Sequence, residues 1–186
     1  MALFCKIKIT FILFFAIISN SSAFNIGNIF TSGIKDEHII IVDKKKRDLY
    51  LISVGNDVPT VILKTNDVIL GENGGDKSLE GDKKTPSGIY YIKNFIPDKK
   101  LPAIYGYGAF PLDYPNIADR IQMKTGSGIW IHGRQEGNKE YTEGCVVLNN
   151  NYIKDLYSRN IAGTPVVISD QLDFLDEYNY NLEKAW

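Results

Sequence analysis

From residue 38 onward the apolar residues fall in short, β-branched runs, each stopped by glycine, proline or a cluster of charges. His38-Ile39-Ile40-Ile41-Val42 is the first, and Leu49-Tyr50-Leu51-Ile52-Ser53-Val54 follows after the charged turn Asp43 to Asp48. Residues 58–64, 68–71, 89–92, 145–148 and 165–168 have the same character. Val, Ile and Tyr suit a pleated, half-buried surface, so these runs predict strands, the first two joined as a hairpin. Ile129-Trp130-Ile131-His132 predicts another, with Ile129 and Ile131 on one face and Trp130 and His132 on the other. Residues 72–88 are glycine-rich and predict a loop, and residues 95–114, with Gly106, Gly108 and three prolines, cannot be a long helix. Two helices are expected. One is short and capped by Asn149–Asn151, with Ile153, Leu156 and Tyr157 on its apolar face. The other runs from Asp170 to Trp186, with Leu172, Leu175, Leu182 and Trp186 near one stripe. Many short strands and little helix predict a mainly β fold, a sandwich or a barrel.

The first 23 residues have the three parts of a secretory signal. Lys6 and Lys8 give a positive start, Ile9 to Ile18 is almost wholly apolar, and Ser21-Ser22-Ala23 offers small residues for a cut after Ala23. The apolar run is short of the about 20 residues that span a bilayer, so an uncleaved anchor is the lesser alternative. Either way the chain is expected to be exported, to the periplasm or the cell wall, with no stable membrane insertion after cleavage. Residues 24–37 read as a leader, 38–169 as the domain and 170–186 as a helical extension. Lys+Arg 21 against Asp+Glu 22 gives a net charge of −1, and loss of Lys6 and Lys8 makes it more negative. No basic excess exists to hold a nucleic-acid backbone.

Export changes the meaning of the cysteines. Of the two, Cys5 leaves with the signal and Cys145 stays. A lone thiol in an oxidising compartment is an intermolecular bridge, an inert buried side chain or a working nucleophile. To work near pH 7 it needs a base or a positive neighbour. Of the two histidines, His132 ends a strand, precedes Gly133 and lies one polar loop before Cys145, whereas nothing local ties His38 to the thiol. Strands 129–132 and 145–148 side by side would bring imidazole and sulfur together. Gly144 permits a sharp turn that aims backbone N–H groups at a substrate carbonyl oxygen. Thr142 can hydrogen-bond within that turn or to the ring, and the Gly133 carbonyl can fix the ring's tautomer. A thiol so activated would be alkylated faster than an ordinary one. The bland alternative is a satisfied strand-end histidine and a small core cysteine.

Ile131-His132-Gly133 followed by Thr142-Glu143-Gly144-Cys145 resembles the His-Gly and Ser/Thr-x-Gly-Cys signature of the L,D-transpeptidase catalytic domain, the YkuD-like family. Gly81-Asp82-Lys83-Lys84-Thr85-Pro86-Ser87-Gly88 is similar to that family's upstream Gly-Asp-x-x-Thr-Pro-x-Gly segment, and Tyr114 to Trp130 to its approach to the His-Gly strand. The resemblance implies a β-sandwich with one short helix after the cysteine. It implies a peptidoglycan enzyme whose cysteine attacks the bond after the diaminopimelate of a tetrapeptide stem, expels D-alanine and forms a thioester. An amine of a second stem then makes a cross-link; in relatives that act as carboxypeptidases or endopeptidases, water resolves the thioester. By resemblance Cys145 is the nucleophile, His132 the base and later acid, Gly133 the orienting carbonyl, and the Gly144 and Cys145 N–H groups the oxyanion donors. No metal or organic cofactor is implied. Many members carry Arg two places after the cysteine, where this chain has Val147. Arg134 is a candidate for that missing cation, or else a solvated loop residue, and Trp130 a candidate substrate contact. A reading of a different class is a non-catalytic wall-binding module with Cys145 buried or bridging two chains.

Overall fold

A computed structural model describes residues 38–54, 59–135, 137, 140–170 and 172. The signal, the leader and all but two residues of the expected C-terminal helix lie outside them. The compact unit described below spans Ser32–Gln171; residues 1–31 and 172–186 form a second unit.

The fold is mainly β. β1 (His38–Asp43), β2 (Asp48–Ser53), β3 (Thr60–Thr65), β4 (Gly88–Tyr91) and β9 (Pro165–Ser169) form one sheet in the order β3-β2-β1-β9-β4. β5 (Ile96–Pro97), β6 (Gly108–Pro111), β7 (Trp130–His132) and β8 (Val146–Val147) form a second in chain order. β1 and β2 pair as the expected antiparallel hairpin, with Ile40 opposite Leu51 and Val42 opposite Leu49. β9 then runs parallel to β1, with Ile40 opposite Val166. The sheets share one core. Ile40, Val42, Leu49, Leu51, Val166 and Ile168 from the first meet Phe110, Ile131 and Val146 from the second, with Leu148 just beyond it. Each such fully buried aliphatic contributes about 1.5–3 kcal/mol.

Among the described residues two α-helices are regular. α1 (Ile117–Ile121) starts with a capping box in which the Asn116 side chain accepts from Asp119 N–H and the Asp119 carboxylate from Asn116 N–H. α2 (Asn150–Ser158) is capped by the Asn149 side chain and buries Ile153 and Leu156. Tyr157, expected on that face, is 50% exposed and stacks at the rim on Phe95, ring centroids 4.3 Å apart. The run 68–71, expected as a strand, makes only isolated bridges, Ile69 to Val147 and Gly71 to Thr142. The charged turn is exposed at Lys45, Lys46 and Arg47 but not at Lys44. The Lys44 ammonium instead collects the carbonyls of Gly75 and Thr85, the Ser87 hydroxyl and the Asp170 carboxylate, all within 2.9 Å. It thereby ties the first hairpin to the 72–88 loop. Among the described residues no helix is long and apolar enough to cross a membrane.

Candidate active site

β7 and β8 are parallel neighbours, with Ile131 opposite Val146 and His132 opposite Val147. The strands are so short that Cys145, one residue before β8, lies level with Trp130. Side chains two apart share a face of a strand, about 6.6 Å apart along it. Cys145 and Val147 therefore look the same way, and His132 sits beside them. All three line one cleft of about 440 Å3, with Ile69, Glu72, Lys83, Ile104, Tyr105, Gly137, Tyr141, Thr142 and Glu143.

His132 is 6% exposed, and its Nδ1 lies 2.6 Å from the Gly133 carbonyl oxygen. A carbonyl can only accept, so Nδ1 carries the proton and Nε2 of the neutral ring is left as an acceptor. Tyr105 packs edge-on against the imidazole at 4.8 Å and tilts over Trp130 at 5.1 Å. The Asn150 side chain holds the segment after the histidine. Its Oδ1 accepts from Arg134 N–H and Tyr107 N–H, and its Nδ2 donates to the Arg134 carbonyl. A Cβ on Gly133 would come within 2.2 Å of that Oδ1, so the clamp needs glycine there.

The turn carrying the thiol is braced by Thr142, whose hydroxyl donates to the Cys145 carbonyl at 2.8 Å and accepts from Gly144 N–H at 2.9 Å. The hydroxyl works within the turn, not on the ring. The Gly144 N–H is thus engaged and does not point to the cleft as an oxyanion donor. Gly144 has φ +133, and a Cβ on it would lie 2.7 Å from the Lys84 carbonyl oxygen, so conformation and space both demand glycine. The Cys145 thiol is partly exposed. It donates to the Gly128 carbonyl at 3.4 Å and is approached by the Trp130 N–H.

Burial pushes the Cys145 thiol above its ordinary value, a shift the Trp130 N–H opposes and the Glu143 charge reinforces. Burial likewise pushes His132 down, against the opposing hydrogen bond to Gly133. Both shifts favour a neutral thiol beside a neutral imidazole. The expectation of a thiol more readily alkylated than an ordinary one is not what this environment provides.

Two sequence candidates stand apart from the cleft. Arg134 is only partly solvated and does not line the cleft. Its guanidinium forms a two-pronged pair with the Asp67 carboxylate, fixing the loop after β7 to the end of β3. Trp130 offers its backbone N–H to the thiol and its ring to Tyr105, and does not itself line the cleft. Conversely, Glu72, Lys83, Tyr141 and Glu143 line the cleft without having been singled out as site residues, although Lys83 lies in the Gly-Asp-x-x-Thr-Pro segment. Among the described residues no group of three or more His, Cys, Asp or Glu side chains is placed to hold a metal ion.

A family model described as the YkuD L,D-transpeptidase catalytic domain matches residues 37–168. Solved structures give further likenesses. The helical cell shape determining protein Pgp2 from Campylobacter jejuni is 30% identical, with a TM-score of 0.66, over 74% of this chain and 49% of that one. Bd1075 from Bdellovibrio bacteriovorus is 30% identical, with a TM-score of 0.65, over 83% and 57%. A mutant of the L,D-transpeptidase from Enterococcus faecium shares the fold at 20% identity and a TM-score of 0.50, over 73% and 50%. The matches span about half the length of these proteins. No curated protein matches the chain.

Proposed function

The chain belongs to the YkuD family of L,D-transpeptidase catalytic domains, and on that premise we propose that it is a cysteine acyl-transfer enzyme acting on peptidoglycan tetrapeptide stems outside the cytoplasm. One observation carries the reading. A partly exposed thiol and an imidazole whose Nδ1 is tied to a carbonyl line a single cleft. In the first half-reaction Cys145 Sγ attacks the carbonyl carbon after the third stem residue while His132 Nε2 takes the thiol proton. With the Gly144 N–H engaged by Thr142, the Cys145 N–H is the donor for the oxyanion. Collapse breaks the C–N bond, the imidazolium proton goes to the leaving amine of D-alanine, and a thioester remains. In the second half-reaction an acceptor attacks the thioester, His132 takes the acceptor's proton, and the proton returns to the departing sulfur.

The acceptor separates two outcomes, a cross-link by a second stem's amine or hydrolysis by water. Val147 favours water as a second reading. It lines the cleft at the place where many relatives carry arginine, so no guanidinium is offered there to a second anionic stem. The likeness to a cell shape determining protein supports a role in shaping the wall by trimming or joining stems.

Incubation with a defined tetrapeptide muropeptide, read by mass spectrometry, tests the proposal. Tripeptide alone is expected for hydrolysis and tripeptide-linked dimers for cross-linking. Cys145→Ala is expected to abolish both products with folding intact, and His132→Ala to slow them about 100- to 10,000-fold, the usual range for losing a general base. Turnover retained by Cys145→Ala would end the proposal.

A further inference from the structure

Glu72 and Lys83 form an ion pair in the cleft wall, the ammonium donating to Glu72 Oε2 at 2.6 Å. The lysine side chain is 44% exposed and the glutamate 36%. A pair so open to water adds little to stability, yet the fold holds Lys83 in place with some force. Its φ is +56, a left-handed conformation that non-glycine residues disfavour and that concentrates at functional positions. Its carbonyl accepts from Asn73 N–H, and a Cβ at Gly71 would lie 2.4 Å from that oxygen, so the opposing residue must be glycine. Next to it, the Asp82 carboxylate accepts from the N–H groups of Ser78, Leu79 and Lys84. The Lys84 carbonyl in turn rests against Gly144, the residue before the nucleophile. The Lys83 backbone is therefore held beside the turn that carries Cys145, and the ion pair with Glu72 places its ammonium on the cleft wall. The third charged group on the cleft wall is Glu143, whose charge acts on both Lys83 and Cys145. Among the described residues the cleft thus offers one positive and two negative groups on a lining that is otherwise largely apolar and aromatic.

We propose that Glu72 and Lys83 read an amino-acid centre that carries both a carboxylate and an ammonium on the substrate, Lys83 taking the carboxylate and Glu72 the ammonium. An exposed pair exchanges its mutual contact for two complementary ones without burying an unpaired charge. The inference rests on the reading of the site as a stem-peptide enzyme. There the third residue, diaminopimelate, ends its side chain in such a centre, whereas a lysine in its place presents an ammonium alone. Lys83 and Glu72 are then specificity residues, and the chemistry stays with Cys145 and His132.

The test uses the full chain and two tetrapeptide stems that differ only in whether the side-chain carboxylate of the third residue is free or amidated. The wild type is expected to turn over the free form with a kcat/KM roughly tenfold higher, the worth of one charge-assisted hydrogen bond. Lys83→Met is expected to bring that ratio to about one, mainly through KM, and Lys83→Arg to restore most of it. Glu72→Gln, which also serves if Lys83→Met fails to fold, is expected to erase discrimination against a stem with that amine acetylated. If Lys83→Met lowers both rates equally and keeps the ratio, the pair is a strut and the proposal is overturned. Calorimetric Kd values for the same stems on Cys145→Ala read the ratio without turnover. Absence of D-alanine release by the wild type from either stem therefore sinks the proposed function, while the Kd ratio still decides the role of the pair.

Discussion

Cys145 and His132 are both shifted by burial away from their charged forms, the thiol up and the imidazole down. In the proposed mechanism catalysis begins from a neutral pair, and the proton moves only as sulfur attacks. The consequence for pH follows from the signs. His132 must be neutral to accept a proton, and its lowered value keeps it neutral further into acid than an ordinary histidine at 6.5. The acid limb of kcat/KM for D-alanine release is expected to have its midpoint below pH 6.5, and no alkaline limb is expected until above pH 9.0. A midpoint above 6.5 in a pH–rate profile would contradict the neutral pair. Iodoacetamide at neutral pH is likewise expected to alkylate Cys145 more slowly than a free thiol. At this scale the sequence was legible where motif spacing sufficed, since His132 and Cys145, one polar loop apart in the chain, line one cleft. It was not legible for the ion pairs. Nothing local says that Arg134 meets Asp67, far back in the chain, or that Glu72 meets Lys83 across a loop without periodicity.

The loop of residues 77–84 is organised around one carboxylate. Burial alone would raise the Asp82 pKa, but the Lys77 ammonium and the N–H groups of Leu79, Ser78 and Lys84 outweigh it and hold the group well below the usual carboxylate range. The Lys77 side chain is only 4% exposed. Asp82→Asn removes its counter-charge and one of the two acceptor oxygens. A loss of about 3 kcal/mol at pH 7 is expected in urea denaturation, by analogy with other broken buried pairs. Because the folded-state pKa is depressed, the wild type holds this contribution above the unfolded value and loses it as pH falls toward the folded one. The gap between wild type and variant should therefore narrow at pH 3; a constant gap would mean that the charge is not what Asp82 contributes. Strand legibility followed local chemistry. β1, β2, β4 and β9 are Ile- and Val-rich or Tyr-rich and were readable to within about a residue at each end, the usual fraying of boundaries. β6 was not, because Gly108 and Pro111 disguise a strand whose pairing with β7 supplies what propensity does not. α1 was missed for its brevity, although Asn116 and Asp119 spell its cap.

As a whole, the sandwich needs both sheets before it has a core, since Ile40 and Ile131 lie far apart in sequence and meet in one cluster. The unit Ser32–Gln171 contains every described site residue. A fragment of residues 32–171 is expected to unfold in one cooperative step, with the fluorescence of Trp130, then its only tryptophan, and the far-ultraviolet circular dichroism changing together. Non-coincident transitions would show that the cleft and the sheets are not one folding unit. The order β3-β2-β1-β9-β4 also has a bearing on biogenesis. The seam between β1 and β4 is filled by a strand that leaves the ribosome after all the others. A nascent chain can form its first hairpins early, but the larger sheet stays split, with two raw edges facing each other, until residues 165–169 arrive. Arrest before Pro165 leaves those edges open to pairing with other chains. On the proposed reading of an exported chain, threaded through a narrow translocation channel, that late closure would keep the polypeptide loose enough to pass.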